Sequence, residues 1–374
     1  MRLLMVVNED RFFLSHRVAI AVAARQQGWD VTVACKDTGR RQDVEAPGLR
    51  MVDLPVNPTG MNPLQEARTL WFLVRLYRRE RPDVVHHVGL KCMLWGGLAA
   101  RWTGVRGVVN AVSGLGVMFA DGKVPAKARA VLAVLRYACR RSGVTVIFQN
   151  HEDESLLLRH HVIKERQSAY VKGSGVDLKA FPYTPQPDDG KVRILFAARM
   201  TREKGVMTLI EAAERLRGEL EGRAEFWLCG GLTKNPKAIS KEEIEAACDG
   251  SYIRWLGHRD DVAALLAECH VVAFPSYYRE GLPKTLIEAC AAGRPVVTTD
   301  SIGCRDTVEN GVNGFLVPVR DSRALADKLR VLIGDKVLRE RMGREGRKKA
   351  EREFSLEDVV NRHLQIYRRL LSSQ

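Results

Sequence analysis

The sequence predicts an α/β protein with two domains, each built around a parallel β-sheet that carries helices on both faces. Short, almost continuous apolar runs alternate with helical stretches along the whole chain, which is typical of parallel strands buried on both sides. The chain also has 374 residues, more than one compact core usually holds. A segment rich in Pro, Gly and Asp, residues 173–190, divides the pattern and is the predicted linker.

The first predicted domain comprises residues 1–172. It opens with an uninterrupted apolar run, LLMVV, and four similar runs follow at intervals that leave room for helices. The predicted strands are 2–7, 30–35, 83–87, 107–112 and 144–148. The predicted helices lie near 13–28, 62–80, 91–104 and 125–142.

The second predicted domain comprises residues 191–354 and repeats the alternation. Its predicted strands are 192–198, 224–229, 252–256, 270–274, 295–299 and 314–317, and its predicted helices lie near 205–220, 241–248, 260–268, 284–292 and 321–333. A helical tail, residues 355–374, is expected to pack back on the first domain. Because ligands bind beyond the carboxyl ends of parallel strands, two such sheets predict a binding cleft between the domains.

The composition indicates a globular protein: 45% of the residues are hydrophobic and 28% are charged, which excludes a disordered chain. The eight cysteines form no Cys-x-x-Cys pair and are expected to be reduced and buried. The longest uncharged run, residues 107–120, is too short to span a bilayer, and the first apolar run is too short for a signal peptide. We therefore expect a cytoplasmic protein without a transmembrane anchor.

The net charge of +14 is concentrated in one region. Residues 66–141 hold 14 basic and 4 acidic residues, a net charge of +10. Such a patch indicates an anionic partner, and nucleic acid, a membrane surface and a phosphorylated substrate all fit it.

Two cations mark the first strand–helix junction of the second domain, in the stretch RILFAARMTREKG. Arg199 ends the predicted strand, Lys204 opens the following helix, and Gly205 permits a close approach of the backbone. Two cations at the carboxyl end of a strand suit a diphosphate. The alternative is a solvated loop with ordinary surface charge.

Two glutamates flank a helix start in EGLPKTLIEACAAG. Pro283 belongs before or within the first helical turn, which places Glu280 on the loop and Glu288 near the start of the helix. The free N–H groups of a helix start suit a phosphate, and carboxylates accept hydrogen bonds from sugar hydroxyls. The pair therefore predicts a nucleotide sugar as ligand. The alternative is a solvated Glu280 and a Glu288 that interacts only with the helix dipole.

Together, Arg199-x4-Lys204 and Glu280-x7-Glu288 resemble the retaining family 4 glycosyltransferases of GT-B fold. Further stretches resemble this family in the same order: GVDLKAF, IRWLGHRDDVAALLAECHVVAFPS and ENGVNGFLVP. The resemblance covers nearly the whole chain. It implies two Rossmann-like domains that face each other across a cleft, with the acceptor bound by the first domain and the nucleotide sugar by the second.

The resemblance also implies roles for individual residues. Glu280 is expected to hold the donor sugar and to be essential for catalysis, and Glu288 to bind the ribose. The remaining assignments are as follows: Arg199, Lys204, Gly281 and Leu282 for the donor diphosphate; Gly257, His258 and Arg259 near the base; Gly230 and Gly231 close to the donor.

Three departures from the common family pattern stand out. The loop NEDRFFLSHR carries no glycine, Ser113–Gly114 replaces a His-Gly pair, and Pro283 replaces a second glycine. These features resemble the bacterial subgroup that builds surface polysaccharides and lipid-linked oligosaccharides on polyprenyl-diphosphate sugars. The candidates for contacts in the first domain are His16, His86, His87, Ser113 and Gly114. A strand-end histidine such as His87 is more often structural.

The expected activity is retaining transfer of a hexose or N-acetylhexosamine from a UDP-linked donor to a polyprenyl-diphosphate-linked sugar or another envelope glycan. No Asp-x-Asp motif or metal-ligand spacing occurs, so neither metal nor cofactor is expected. The basic helices 69–82 and 123–141 predict contact with an anionic membrane or binding of an acceptor diphosphate. The alternative is that each helix packs its apolar face on the core and leaves its basic face solvated. Membrane contact would place the protein peripherally on the inner face of the plasma membrane. No nucleic acid partner is expected.

Three other functions remain possible from the sequence. A nucleotide-sugar 2-epimerase of the same fold would turn over its substrate without an acceptor. A nicotinamide-dependent enzyme would need a Gly-x-Gly-x-x-Gly turn, which no strand here precedes. A nucleic-acid-binding protein fits the positive charge, but the paired glutamates would repel a phosphate backbone and no aromatic stacking module is recognisable.

Overall fold

The computed structural model describes residues 1–57, 62–115, 125–233 and 238–372. The chain divides into two compact units. The first comprises Met1–Ser174 together with Leu356–Gln374, and the second comprises Gly175–Ser355.

The first unit contains a seven-stranded parallel sheet in the order β3-β2-β1-β4-β5-β6-β7. The strands are β1 Arg2–Glu9, β2 Asp30–Lys36, β3 Arg50–Asp53, β4 Val84–Val88, β5 Gly107–Ala111, β6 Val144–Phe148 and β7 Ser168–Tyr170. Every residue of β4, β5 and β6 is buried, as expected of central parallel strands. The strand order reverses between β1 and β4, which is where open sheets bind ligands.

The helices of the first unit cover both faces of this sheet. They are α1 Asp10–His16, α2 Val18–Gln26, α3 Arg41–Glu45, α4 Pro63–Glu80, α5 Leu90–Thr103, α6 Ala126–Cys139 and α7 His151–Arg159. The single helix predicted for 13–28 is wrong, because Arg17 leaves helical geometry with φ −133° and ψ −14°. Its side chain turns into the core, where only 2% of it is exposed.

The second unit contains a six-stranded parallel sheet in the order β10-β9-β8-β11-β12-β13. Its strands are β8 Val192–Ala197, β9 Ala224–Cys229, β10 Ile253–Gly257, β11 Val271–Phe274, β12 Val296–Thr299 and β13 Gly314–Val317. Its helices are α8 Val206–Leu220, α9 Lys241–Ala247, α10 Val262–Glu268, α11 Lys284–Ala291, α12 Ser322–Gly334 and α13 Lys336–Glu353. The reversal of strand order lies between β8 and β11.

Two segments at the ends of the second unit pack in different ways. Residues 175–190, which make up most of the predicted linker 173–190, belong to the second unit: Arg294 donates to the Thr184 carbonyl at 2.7 Å, and Arg347 to the Phe181 carbonyl at 2.9 Å. The last helix, α14 Leu356–Ser372, packs in the first unit, where the Tyr367 hydroxyl lies 2.6 Å from Nδ1 of His86.

The cysteines agree with the prediction of reduced thiols. All eight lie in the described part of the chain as free thiols, and seven of them are buried. Burial raises the pKa of Cys92 and of Cys290 to about 12, so these thiols stay protonated at neutral pH. Within the described ranges no helix is long and apolar enough to cross a membrane.

Candidate active site

The second unit brings its predicted site residues to one edge of its sheet. The loops that follow β8, β9, β10 and β11 all lie at the carboxyl ends of these parallel strands. Backbone hydrogen bonds join them side by side: Ala198 N–H to Cys229 C=O at 3.0 Å, Gly230 N–H to Gly257 C=O at 2.7 Å, and Tyr277 N–H to Glu203 C=O at 3.0 Å. The edge is therefore one continuous surface around the reversal of strand order, where a ligand is expected.

The loop after β8 places Lys204 beside β11. Lys204 ends a short 3₁₀ turn, residues 202–204, and α8 begins only at Val206, so the prediction that Lys204 opens the helix is wrong. Gly205 lies between them with φ +82°, and a Cβ atom there would stand 2.0 Å from the Pro275 carbonyl. Only glycine fits this close approach, which holds the two loops together.

Lys204 and Glu280 form an ion pair across these loops. Nζ of Lys204 lies 2.5 Å from Oε1 of Glu280, and the side chains are 16% and 11% exposed. Oγ of Ser276 donates a hydrogen bond to the same carboxylate oxygen at 3.0 Å. The Ser276 hydroxyl also lies 3.1 Å from the Glu203 carbonyl, and because it carries a single proton the two acceptors share this donor.

Arg199 lies two residues beyond β8, which ends at Ala197 rather than at Arg199 as predicted, and it is exposed at the same edge. Burial and Glu280 raise the pKa of Tyr278, and Arg199 opposes this rise. Arg199 thus contributes positive potential close to the loop that carries Glu280.

The predicted anion site is the start of α11. The helix begins at Lys284, directly after Pro283, and Gly281 and Leu282 precede it as predicted. The Thr285 hydroxyl donates to the Ala197 carbonyl at 2.8 Å, which fixes the first turn against β8. The N-terminal N–H groups of α11 therefore lie next to the loop that carries Arg199 and Lys204.

Glu288 lies one turn into α11 and is almost completely buried. Burial raises its pKa, and Lys284 opposes this effect with its ammonium 3.4 Å from the carboxylate. A carboxylate that is poorly hydrated is a strong acceptor for ligand hydroxyls.

The two glycines after β9, which lie beside the end of β10, complete the edge. Gly230 has φ +153°, and a Cβ atom there would stand 1.7 Å from the Ala198 carbonyl, so this position requires glycine. The Trp255 indole donates to the Gly230 carbonyl at 3.0 Å. A Cβ atom on Gly231 would lie 3.5 Å from Cβ of His258, which leaves only ordinary contact space between the two loops.

The residues after Gly257 point outward. His258 is 70% exposed, and Nε of Arg259 binds Oδ1 of Asp261 at 2.7 Å on the surface. These side chains stand next to Gly230 and Gly231 at the end of the edge away from α11.

The comparison with protein families agrees with this geometry. The model "Glycosyl transferases group 1" matches residues 182–349, and the model "Glycosyl transferase 4-like" matches residues 2–150. The two matches fall on successive parts of one chain, and each part contains a parallel α/β sheet. The chain belongs to the family 4 glycosyltransferases of GT-B fold.

Bacterial transferases are similar to this glycosyltransferase over most of its length. The N,N'-diacetylbacillosaminyl-diphospho-undecaprenol alpha-1,3-N-acetylgalactosaminyltransferase of Campylobacter jejuni is 26% identical, with 96% of this chain and 99% of that protein covered. The UDP-Gal:alpha-D-GlcNAc-diphosphoundecaprenol alpha-1,3-galactosyltransferase of Escherichia coli is 24% identical, with coverages of 83% and 81%. The crystal structure of Anabaena HepE in complex with UDP shares the fold, with a TM-score of 0.78, 18% identity and complete coverage of both chains.

The histidines of the β4 strand do not fit the expected ligand contacts in this transferase. His87 is fully buried: Nε2 lies 2.8 Å from the Tyr77 hydroxyl and Nδ1 lies 2.7 Å from Oδ1 of Asn110. Burial lowers the pKa of His87 to about 4, so the ring is neutral. His86 is equally buried. Both histidines are core residues, which corrects the hypothesis that they contact substrate.

The other candidates in the first unit lie at the end of a helix and in the loop after a strand. His16 ends α1, stacks on Phe12 with ring centroids 4.2 Å apart, and shares a hydrogen bond of 2.7 Å with Ser15. Ser113 and Gly114 follow β5 and are half-buried, with Gly114 at φ +97°. The residues beyond them, 116–124, lie outside the described residues.

The sequence did not single out two residues that shape the site. Ser276 binds Glu280, as described above. Gly303, at φ +81°, packs so closely that a Cβ atom would stand 2.2 Å from the Gly281 carbonyl and 2.7 Å from the Glu280 carbonyl. Both are small and uncharged, and only their position after β11 and β12 could have drawn attention to them.

Proposed function

We propose that this glycosyltransferase transfers a sugar from a UDP-linked donor to a polyprenyl-diphosphate-linked sugar or a related envelope glycan. The observation that carries the proposal is the arrangement of Lys204, Glu280 and Glu288 around the start of α11. The Lys204 ammonium and the free N–H groups of the helix suit a diphosphate. The carboxylates of Glu280 and Glu288, on either side, suit hydroxyl groups. The names of the Campylobacter and Escherichia relatives, with diphospho-undecaprenol acceptors, and the UDP complex of HepE support it.

The residues of the edge take distinct roles in this proposal. Glu280 accepts hydrogen bonds from hydroxyls of the transferred sugar, and Glu288 accepts them from the ribose. The diphosphate binds Arg199, Lys204 and the N–H groups of Gly281 and Leu282. The loops at 230–231 and 257–259 pass close to the ribose and base, where backbone atoms provide the contacts.

Catalysis rests on stabilisation of the leaving diphosphate. Arg199, Lys204 and the positive end of α11 offset the charge that develops when the glycosidic bond to phosphate breaks. We propose that the acceptor hydroxyl attacks the anomeric carbon from the same face from which the diphosphate departs. An oxygen of the departing phosphate takes the proton of the acceptor hydroxyl. The sugar then keeps its anomeric configuration.

A sugar-transfer assay tests this proposal. Purified protein is given UDP-, GDP- and ADP-sugars with a short-chain polyprenyl-diphosphate sugar, and product is measured by mass spectrometry. We expect transfer from a UDP-sugar only when the acceptor is present. Conversion of the donor without acceptor would instead indicate the 2-epimerase, and stabilisation by oligonucleotides but not by nucleoside diphosphates would indicate a nucleic-acid-binding protein.

We further propose that transfer needs no metal ion. Among the residues that the structure describes, no group of three or more His, Cys, Asp or Glu side chains could hold one. The cations at the edge supply positive charge to the diphosphate instead. Transfer rates are therefore expected to stay within about twofold after dialysis against EDTA. Loss of activity with EDTA and its recovery with Mg²⁺ or Mn²⁺ would contradict this.

One exposed face of α4 combines arginines with apolar side chains. On α4, the residues Leu64, Arg68, Trp71, Arg75 and Arg78 follow one another at helical spacing and are all exposed. The Arg75 guanidinium lies 4.5 Å from the Trp71 ring centroid. Amphipathic aromatic rings beside arginines are typical of helices that lie in the lipid headgroup region.

The neighbouring helices extend this surface. The helix α5 packs against both α4 and α6 and exposes Trp102, and α6 exposes Arg129, Arg136 and Tyr137. The Arg101 guanidinium lies 4.2 Å from the Tyr137 ring centroid. We propose that this face binds the anionic membrane that holds the lipid-linked acceptor, so that the enzyme acts peripherally on the inner face of the plasma membrane.

Replacing Arg75 and Arg78 together by alanine is expected to weaken binding to phosphatidylglycerol vesicles roughly thirtyfold, at about 1 kcal/mol for each arginine. Cosedimentation at low and high salt measures this, and wild-type binding should fall as salt rises. The matched control replaces Arg341 and Arg344, exposed on α13 of the second unit, and should bind as wild type does. Equal losses in both double variants, or binding that salt leaves unchanged, would refute the surface.

A further inference from the structure

The ion pair between Lys204 and Glu280 means that a bound diphosphate competes with a carboxylate for the same ammonium group. Each residue has a role in donor binding under the proposed function, yet their charged groups lie 2.5 Å apart. A diphosphate that binds Lys204 must share the ammonium with the Glu280 carboxylate. Glu280 therefore affects the affinity for the diphosphate as well as for the sugar.

The surroundings hold both partners in place. Ser276, which is fully buried, binds Oε1 of Glu280 at 3.0 Å, and Gly303 packs against the backbone of the loop that carries Glu280. The Lys204 ammonium lies 5.4 Å from the Phe274 ring centroid and 5.6 Å from the Tyr278 ring centroid. Because the carboxylate is anchored in this way, it stays near the diphosphate position when Lys204 turns toward a phosphate.

The electrostatic consequence depends on whether the ligand carries a sugar. A carboxylate within several ångströms of a diphosphate in a partly buried site raises the free energy of the bound state. A sugar on the diphosphate offers hydroxyl donors to the carboxylate, and these hydrogen bonds offset the repulsion. A nucleoside diphosphate without a sugar offers no such compensation.

We propose that Glu280, in addition to binding the donor sugar, opposes the binding of the sugar-free nucleoside diphosphate. After transfer the sugar no longer bonds to Glu280, which pairs again with Lys204 and promotes release of the product nucleotide. The inference rests on the proposed function, because it requires the diphosphate at Lys204. It assigns to one carboxylate both donor selection and product release.

Titration calorimetry with UDP tests the inference, with GDP or ADP used instead if the wild-type protein binds one of these better. Glu280→Gln keeps the shape of the side chain and its acceptor oxygen for Ser276 while removing the charge. We expect this variant to bind the nucleoside diphosphate about tenfold more tightly than wild type, and the difference to shrink as salt rises. Glu280→Ala, a second variant without the charge, should shift the affinity in the same direction.

Glu288→Gln is the matched comparison, because it makes the same chemical change at the other glutamate. It should weaken binding of the nucleoside diphosphate, since the ribose loses an acceptor. Inhibition of the residual turnover by the nucleoside diphosphate should be strongest in Glu280→Gln, intermediate in wild type and weakest in Glu288→Gln.

The outcomes separate this inference from the proposed function. If wild type binds a nucleoside diphosphate and both Glu280 variants bind it equally or more weakly, the inference is wrong and the proposed function stands. If wild type binds none of UDP, GDP and ADP, the proposed function fails and the inference fails with it.

Discussion

Replacing Glu280 by alanine is expected to lower the rate of sugar transfer about a thousandfold, while the protein stays folded. The carboxylate is fixed by Ser276 and Lys204 in the position from which it would bind the sugar. Alanine removes that interaction together with its orientation. The loss of folding stability should be only about 1–2 kcal/mol, because the Lys204 ammonium left behind remains 16% exposed and can be hydrated.

Initial rates with donor and acceptor measure the loss of transfer. Thermal unfolding followed by circular dichroism measures the loss of folding stability. The control is Glu219→Ala, which makes the same change on the outside of α8, where Glu219 is 51% exposed and pairs with Arg330. It should transfer sugar at the wild-type rate. A folded Glu280→Ala protein with wild-type turnover would remove Glu280 from the active site.

Periodic burial explains which parts of the fold could be predicted from the sequence. The eleven strands other than β3 and β7 consist of apolar runs that stand out in the sequence, and their parallel pairing follows from the intervening helices. The helix α13 was missed because most of its residues are charged and it buries small ones, such as Gly346 against Cys290 of α11 and Gly343 against Gly293. The short strands β3 and β7 are edge strands with few buried residues, so they give little apolar signal.

The charged residues of the candidate site could be predicted from the sequence. Arg199, Lys204, Glu280 and Glu288 differ from their apolar surroundings, and the structure places all four at one sheet edge. The distinction between a ligand contact and a core residue was not visible in the sequence. For His87, it depends on Tyr77 and Asn110, which come from α4 and β5 and meet the ring only in the folded protein.

Gly303→Ala is expected to reduce kcat/KM about a hundredfold and to lower stability by roughly 3 kcal/mol. Gly303 has φ +81°, so alanine strains the backbone by about 1–2 kcal/mol. Its Cβ atom would also stand 2.2 Å from the Gly281 carbonyl, far inside contact distance, and the loop with Glu280 would have to move. A shift of about 1 Å at a catalytic group is enough for a rate loss of this size.

Gly311→Ala separates the two effects. Gly311 lies in the same unit with nearly the same φ, +82°, but a Cβ atom there meets nothing within 4 Å. This variant should therefore show only the backbone strain, with stability lowered by about 1–2 kcal/mol and transfer at the wild-type rate. The difference between the two variants measures the contact between Gly303 and the loop of Glu280. Equal kinetics in both variants would mean that this contact does not position Glu280, and Ser276 and Lys204 would then be the interactions that orient its carboxylate.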